Sequence, residues 1–243
     1  MFDIKVEKLS KGLDFLSIDY DHNLINKFIL YYEFLNKENK KYNLTSITDF
    51  DDFISLHVLD SLSVLLPIQK YNINHKNILD IGSGNGFPGV PFRICIPKTN
   101  MILVDSIKKK VNFMQQVIQL LNLSGIEIVN NRIENLGKNK DYRNTQNLIL
   151  ARAVAKLSTL IEIALPLLQI GGYCIFHKSN LSQSEFESMN KTLRYFDAQL
   201  IEIYKVPNEL VPRNHNLVII KKNSEIDFEY PRNNNKPFRK PLF

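Results

Sequence analysis

The residues of this sequence with the clearest chemical potential are glycines that follow a short apolar run. The run "NILDI" (77–81) carries one acid, Asp80, and four glycines fall within the next eight residues. Because glycine has no Cβ atom, a ligand can approach its backbone closely and the chain can turn sharply there. The segment therefore predicts a loop that binds a ligand through its backbone, beside a carboxylate.

Three classes of ligand would need a loop of this kind. A phosphate-binding P-loop requires GxxxxGK[ST], and no Lys-Ser or Lys-Thr pair follows these glycines. A dinucleotide site requires GxGxxG, and here the third glycine, Gly86, comes one residue early. Asp80 would also repel a pyrophosphate, whereas it would attract the ammonium and sulfonium of S-adenosylmethionine. The loop and its acid therefore favour S-adenosylmethionine.

Two further acids support a nucleoside ligand. Asp105 ends the next predicted strand, "MILVD" (101–105), where a carboxylate can accept hydrogen bonds from both ribose hydroxyls. NAD sites share this feature, so it indicates a nucleoside without choosing between cofactors. Glu134 follows the third predicted strand and is placed where an adenine would be flanked.

The segments that must position these acids alternate between strands and helices. Apolar runs predict seven strands: 77–81, 101–105, 126–129, 147–154, 173–178, "QLIEIYKV" and "NLVIIKKN", of which the last two could pair antiparallel. Helical patterns between the strands predict an α/β fold with a mainly parallel sheet. Ligands of such sheets bind at the carboxyl ends of the strands, where the glycine loop would lie.

Residues 1–67 are instead predicted to form a helical part. One apolar helical face is made by Leu24, Phe28, Tyr31 and Leu35. Thr48 or Asp49 could cap a further helix, which Pro67 would end. At the other end, the segment "YPRNNNKPFRKPLF" predicts a loosely held basic tail.

Composition fits a single globular protein of 243 residues, with 44% hydrophobic and 23% charged residues. Neither a bilayer-spanning run nor a signal-peptide core is present in the sequence, so we expect a cytoplasmic protein without membrane contact. Cys95 and Cys174 lie in apolar segments as expected for buried thiols, and the scattered histidines predict no metal site. A net charge of +6 gives a mild preference for polyanionic partners.

Two longer segments are more specific than a general nucleoside signature. "LDIGSGNGFPGVP" and "LVDSIKKKVNFM" closely resemble the bacterial family of 16S ribosomal RNA guanine-N7 methyltransferases, once called glucose-inhibited division protein B. Further matches occur in the same order over nearly the whole chain: "NKKYNLTSI", "HVLDSL", "NNRIENL", "ARAVAKL" and the "YPR…KP" ending.

The resemblance implies a class I S-adenosylmethionine-dependent methyltransferase fold, Rossmann-like, with an N-terminal helical extension. It also implies methylation of one guanine near the decoding centre, with 16S rRNA or the 30S subunit as partner, and we expect a monomer. The expected division is a helical part at 1–67, a methyltransferase domain at 68–228 and the basic tail at 229–243. The cofactor contacts of the family fall on Gly82, Phe87, Ile133, Glu134 and Arg152.

The sequence departs from the family pattern at two places. Leu56 stands where members usually have a basic residue, and Ser179 follows Lys178 where they tend to have glycine. Both departures concern RNA contacts rather than the class of reaction.

Several charged residues have two interpretations. Arg152 lies in an apolar strand and needs a partner. It forms either a structural ion pair within the protein or a contact with the cofactor or an RNA phosphate. His57 and Asp60 lie three residues apart on one helical face, as a local pair or an RNA contact. The lysines 108–110 open a helix, where cations oppose the helix dipole, so they are either solvated or bound to RNA.

Two other functions compete with the leading one. The same fold could methylate a small molecule or a protein, or a noncatalytic assembly factor could retain a degenerate cofactor pocket. The intact glycine loop with Asp80 and Asp105 argues against the assembly factor, and the basic tail argues against a small-molecule acceptor. No general base is assigned, because the strand ends beside the loop offer neither histidine nor cysteine.

Overall fold

The computed structural model describes residues 2–243, with side chains from Val6 onward. Its centre is a seven-stranded sheet in the order β3-β2-β1-β4-β5-β7-β6. The strands are β1 (Asn77–Ile81), β2 (Asn100–Asp105), β3 (Ile126–Asn130), β4 (Gln146–Arg152), β5 (Leu168–Lys178), β6 (Ala198–Lys205) and β7 (Asn216–Lys222). β7 runs antiparallel to both β5 and β6, and the other pairs are parallel. The seven predicted strands and their mainly parallel arrangement are confirmed.

Helices connect and cover the strands. Those before the sheet are α1 (Phe2–Phe15), α2 (His22–Tyr42), α3 (Phe50–Asp52), a π-helical segment (Phe53–Leu59), α4 (Asp60–Leu62) and α5 (Leu65–Lys70). Those after β1 are α6 (Gly89–Cys95), α7 (Lys108–Leu120), α8 (Ile133–Lys138), α9 (Leu157–Ala164), α10 (Gln183–Tyr195) and α11 (Lys236–Arg239). Within the described residues, no helix combines the length and the apolar character needed to cross a membrane.

The sheet is buried on both faces because its central strands are apolar at consecutive positions. Ile78 belongs to the core shared with the N-terminal helices, α6 and α7, whereas Leu79 belongs to the core shared with α8, α9 and α10. Neighbouring residues of a strand point to opposite faces, so each run supplies both cores. The N-terminal helices are thus part of the layer that covers one face of the sheet.

The N-terminal part is helical as predicted, but α2 continues through the polar residues 36–42, where a break is predicted, and Pro67 does not end a helix. Asp49 caps α3, since its side chain accepts a hydrogen bond from the Asp52 N–H at 3.0 Å. Pro67, however, lies in the first turn of α5, which continues to Lys70, so the prediction that it ends a helix is wrong. Proline is tolerated there because the first-turn N–H groups have no partner within the helix.

The C-terminal tail is docked, so the prediction that it is loosely held is wrong. Arg232 forms a bidentate ion pair with Glu162 of α9, with Nε–Oε1 and Nη2–Oε2 distances of 2.8 and 2.6 Å. The Glu162 side chain is fully buried. Thr159 of the same helix donates a hydrogen bond to the Pro237 carbonyl at 2.8 Å. Because a buried carboxylate without a partner is strongly unfavourable, the tail is required to neutralise Glu162.

Candidate functional site

A cavity of about 300 Å³ opens at the carboxyl ends of β1, β2 and β4. Its lining includes four of the six predicted cofactor-binding residues: Gly82, Asp105, Ile133 and Glu134. From β1 the chain adds strands toward one edge of the sheet (β2, β3), and from β4 it adds strands toward the other edge. The loops after β1 and β4 therefore leave the sheet in opposite directions, which opens a crevice between them. The cavity therefore lies where the sequence predicted the ligand.

The glycine loop reaches the cavity with its backbone. Gly82 has a φ of +66°, and a Cβ atom there would lie 2.7 Å from Cγ2 of Val154, so any side chain would be both strained and crowded. Helix α2 and the residues after it hold the loop from outside. The Tyr31 hydroxyl donates to the Asn85 carbonyl, and Asn85 Nδ2 donates to the Leu44 carbonyl at 2.7 Å.

Asp105 joins the loop to the end of β2. Its Oδ2 accepts a hydrogen bond from the Gly84 N–H at 3.0 Å, and its Oδ1 accepts one from the Ile107 N–H at 2.8 Å. A carboxylate has about four acceptor positions, so each oxygen keeps capacity for a further donor. Because Asp105 also lines the cavity, its geometry suits a carboxylate that orders the loop and accepts the ribose hydroxyls.

Glu134 provides the strongest indication that the cavity holds a ligand. Its side chain lines the cavity and only 2% of the residue is exposed. Among the described residues, its buried Oε1 has no hydrogen-bond partner. Buried polar atoms are usually paired, so this oxygen at the cavity is available to accept a hydrogen bond from a bound ligand. The exocyclic amino group of an adenine is a donor of the required kind.

Asp80 does not have the predicted role. Its carboxylate is fully buried away from the residues that line the cavity, and Oδ2 accepts a hydrogen bond from the Gly89 N–H at 3.0 Å. Burial raises the pKa of Asp80 to about 7, against the opposing effect of the Gly89 hydrogen bond. The prediction that Asp80 attracts a cationic ligand is therefore wrong: the acids at the cavity are Asp105 and Glu134.

The other two predicted contacts, Phe87 and Arg152, lie together outside the cavity lining. The Phe87 ring stacks between Tyr31 and His57, with centroid distances of 5.3 and 4.4 Å. The Arg152 guanidinium lies 5.1 Å from the centroid of the same ring. Their contact with the cofactor stays a prediction, because both side chains are engaged within the protein.

A buried ion network explains Arg152. Its Nη1 donates to Asp60 Oδ2 at 2.8 Å, and its Nη2 lies 2.9 Å from His57 Nδ1. Arg213 Nη2 also reaches Asp60 Oδ2, at 3.1 Å, while His215 Nδ1 lies 2.5 Å from Asp60 Oδ1. The structural ion pair is thus the observed role of Arg152. It also connects His57 to Asp60, which the sequence predicted to pair directly.

Protonation in this network follows from burial and neighbouring charges. Burial would raise the pKa of Asp60, but the His215 contact and the surrounding cations hold it well below its usual value. Burial lowers the pKa of His57 to about 3, with Arg152 adding to the effect. Burial likewise lowers the pKa of His177, which packs beside the network, to about 4. Both histidines are therefore neutral near pH 7.

Sequence reasoning missed several residues that line the cavity. The further lining residues are Ile81, Val104, Ser106, Ile107, Lys110, Asn131, Arg132, Ala153, Val154, Asn235 and Phe238. Those directly after a strand, such as Ala153 after β4, could have been predicted from their position in the sequence. The structure adds that Ala153 has a φ of +55°, a strained conformation that is frequent at functional sites. Asn235 and Phe238 had no such signal.

Comparison with known proteins agrees with this geometry. Residues 24–225 match the GidB family model, described as rRNA small subunit methyltransferase G. The chain is 36% identical to the ribosomal RNA small subunit methyltransferase G of Lachnoclostridium phytofermentans, over 96% of this chain and 95% of the relative. It is 34% identical to the protein of the same name from Acetivibrio thermocellus, over 99% and 98%. The chain belongs to the GidB family.

The fold comparison is consistent with membership of the GidB family. A S-adenosylmethionine-dependent methyltransferase from Clostridium acetobutylicum superposes with a TM-score of 0.56 at 12% identity, covering 80% of this chain and 99% of that chain. At this identity the likeness concerns the fold alone. The predicted family, class I fold and enzyme class are thus confirmed, while the individual cofactor contacts stay predictions.

We expect Glu134→Gln to weaken binding of S-adenosylhomocysteine about tenfold, because it removes a charge-assisted hydrogen bond. The folded protein should not lose stability, since Glu134 Oε1 has no partner among the described residues. Isothermal titration calorimetry and thermal unfolding measure the two effects. Glu209→Gln, at an exposed position, is the control. Unchanged affinity in the Glu134 variant would exclude Glu134 as a ligand contact.

We expect the free energy of unfolding to fall between pH 6.5 and about 4, partly through His177. An unfolded histidine gains a proton near pH 6.5, whereas folded His177 stays neutral until about pH 4. Each such histidine contributes a slope of at most about 1.4 kcal/mol per pH unit. The raised pKa of Asp80 makes the free energy of unfolding change in the opposite direction between about pH 4 and 7. The contribution of His177 is therefore measured by comparing a His177 variant with the wild type.

Urea unfolding at several pH values should show that His177→Gln flattens the dependence over this window. His22→Gln, at an exposed position, should leave the dependence as in the wild type. A His177 variant with the wild-type slope would mean that folded His177 is charged.

Proposed function

We propose that the chain transfers a methyl group from S-adenosylmethionine to N7 of one guanine of 16S rRNA, near the decoding centre of the small subunit. The proposal rests on one observation: this chain belongs to the GidB family, and its cavity is lined by two acids, of which Glu134 has an oxygen without a hydrogen-bond partner among the described residues. A small molecule or protein as acceptor, and a noncatalytic assembly role, are the alternatives that experiment must separate from it.

The cofactor site follows from the lining of the cavity. Asp105 accepts the ribose hydroxyls, and Glu134 accepts the adenine amino group. Gly82 provides close backbone approach where no Cβ atom would fit. When bound, S-adenosylmethionine supplies an electrophilic methyl group. The cavity fits this cofactor because the ribose hydroxyls and the adenine amino group are donors, which need acceptors such as Asp105 and Glu134 rather than the amide nest that a pyrophosphate requires.

The chain acts mainly by alignment. Guanine N7 has a free lone pair and no proton, so no residue has to remove a proton before or during the transfer. The strained Ala153 and its neighbour Val154 line the cavity after β4, opposite Gly82, and fix its shape there. Holding two reacting groups at near-attack distance can supply roughly 7–11 kcal/mol of the barrier. Arg152 acts from behind the glycine loop as a structural cation rather than as a proton donor.

The basic residues that suit RNA surround the mouth of the cavity. Lys110 and Arg132 line the cavity, and exposed Lys108 and Lys236 directly follow its lining residues Ile107 and Asn235. Exposed Lys240 directly follows Arg239, which lines the adjoining cavity. Arg232, although part of the basic tail, is engaged by Glu162. The RNA contacts of the tail are therefore assigned to its exposed lysines.

We further propose that the enzyme works in the cytoplasm, as a monomer, on either naked 16S rRNA or the 30S subunit. Incubation with labelled S-adenosylmethionine and small subunits, naked 16S rRNA or total small-molecule extract tests the acceptor. Label should appear as 7-methylguanine in 16S rRNA. Label in a protein or metabolite would support the second function, and binding of RNA without any transfer would support the assembly factor.

We expect the single-turnover rate at saturating substrates to be nearly flat from about pH 6.5 to 8.5, because no group has to accept a proton from guanine N7. Asp80 titrates near pH 7, but its carboxylate faces Gly89 beneath α6 rather than the cavity. Rapid-quench measurements test this expectation. A tenfold rise per pH unit across the range would require a general base and contradict the alignment mechanism.

We expect RNA binding to weaken with salt, and this dependence to rest on the cavity rim. Replacing Lys108, Lys236 and Lys240 together by glutamine should reduce the slope of log affinity against log salt by about 2, at roughly 0.7–0.9 per phosphate contact. The matched control replaces three exposed lysines elsewhere, Lys8, Lys98 and Lys191, with the same change in net charge. Equal effects of both triple variants would exclude a localised RNA surface at the rim.

A further inference from the structure

The C-terminal tail supplies part of the lining of the cavity at the carboxyl ends of the strands. Asn235 and Phe238 line the same cavity as Glu134. An adjoining cavity is lined by Glu134 together with Asn235 and Arg239. The unpartnered carboxylate therefore borders two spaces, and residues of the tail line both of them.

The first part of the tail, residues 230–232 and here called its root, is fixed by several contacts. The Arg143 guanidinium donates to the carbonyls of Tyr230 and Asp227 at 2.8 and 3.0 Å. Pro231 packs so closely on α8 that a Cβ atom added to Gly137 would lie 2.5 Å from its Cδ. With the Arg232–Glu162 ion pair, these contacts fix the chain up to the turn that precedes α11.

Beyond this root the tail is held by single hydrogen bonds, such as those from Thr159 to the Pro237 carbonyl at 2.8 Å and from Arg232 to the Lys240 carbonyl at 2.9 Å. Helix α11 has a single turn, and the two residues before its first helical position, Asn234 and Asn235, both have a φ of +59°. Phe238 is half-buried and packs on the core beneath the cavity. Two adjacent non-glycine residues in the left-handed region store strain, which contacts made elsewhere must offset.

We propose that this segment, residues 233–239, is a wall of the cofactor site and that Phe238 packs against bound S-adenosylmethionine beside Glu134. The inference rests on the proposed cofactor site. An aromatic ring next to a purine contributes apolar contact area and favourable stacking. Enclosure by the tail also removes water from Glu134, which strengthens its hydrogen bond to the ligand.

This arrangement couples docking of residues 233–239 to binding of the cofactor. If the bound cofactor contacts the docked segment, it stabilises the docked state, and docking raises affinity for the cofactor by the same factor. Loss of the segment should then lower cofactor affinity while the root, with Tyr230 and Arg232, still neutralises Glu162. This separates the role of the segment from a purely structural one.

The test compares binding of S-adenosylhomocysteine to wild type, Phe238→Ala and a chain that ends at Asn233. We expect Phe238→Ala to weaken binding about tenfold, with little change in the thermal unfolding of the ligand-free protein. The shortened chain, which also loses the Thr159–Pro237 hydrogen bond and is therefore compared well below its own unfolding temperature, should weaken binding further. Phe228→Ala is the matched control, because Phe228 is exposed and lies against Lys138 and Arg143 rather than at the cavity.

Cleavage by trypsin provides a second readout of whether the tail is docked. Within residues 233–243 trypsin can cleave only after Arg239, since Lys236 and Lys240 each precede a proline. Saturating S-adenosylhomocysteine should slow this cleavage about tenfold in the wild type and the Phe228 variant, but not in Phe238→Ala. The predicted slowing follows from the coupling of docking to binding.

The outcomes distinguish the two proposals. Wild-type affinity in Phe238→Ala, or cleavage after Arg239 that the ligand does not slow, would overturn the role of the tail. If Glu134→Gln weakens binding in the same experiments, the proposed cofactor site nevertheless stands. If neither variant changes the affinity, the ligand binds elsewhere and both proposals fail.

Discussion

The charge of Asp60 is the constraint on which the arrangement of this protein depends. The Asp60 side chain is fully buried, and an unpaired carboxylate in such a position would be strongly unfavourable. Arg152 from β4 and Arg213 and His215 from the segment before β7 converge on it. Asp60 itself begins α4, directly after the π-helical segment. One carboxylate therefore ties the N-terminal helices to two strands of the sheet, and breaking such a pair typically costs about 3–5 kcal/mol.

The same network positions the glycine loop without touching the ligand cavity. Arg152, His57 and Tyr31 all pack against the Phe87 ring. Phe87 directly follows the last glycine of the loop, while Tyr31 also binds the Asn85 carbonyl. The loop is thus clamped between the sheet and α2. Because glycines allow many conformations, this external clamp decides which of them the loop adopts.

The sequence contained the fold and part of the site. Apolar runs determine the strands, and an acid at the end of β2 must lie beside the loop after β1 because parallel strands end at the same edge. The orientation of Asp80 could not be read in this way. Its side chain lies on the face that α6 covers, where the Gly89 N–H binds it, and that depends on packing rather than spacing. Likewise, Glu162 gave no sign in sequence that its partner would be Arg232, far along the chain.

Buried carboxylates in this chain differ in what satisfies them, and that difference points to the ligand. Asp60 and Glu162 are matched by arginines. Asp80 keeps one oxygen without a partner among the described residues, but its pKa of about 7 makes the carboxyl neutral below that pH, which lowers the cost of leaving this oxygen unpaired. Glu134 also keeps an unpartnered oxygen, and it alone of these four lines the cavity. The protein thus pairs Asp60 and Glu162 with its own arginines and Asp105 with backbone N–H groups, and leaves one oxygen of Glu134 at the cavity to be satisfied from outside. This is the pattern expected where a ligand donor, rather than a residue, completes the hydrogen bonding.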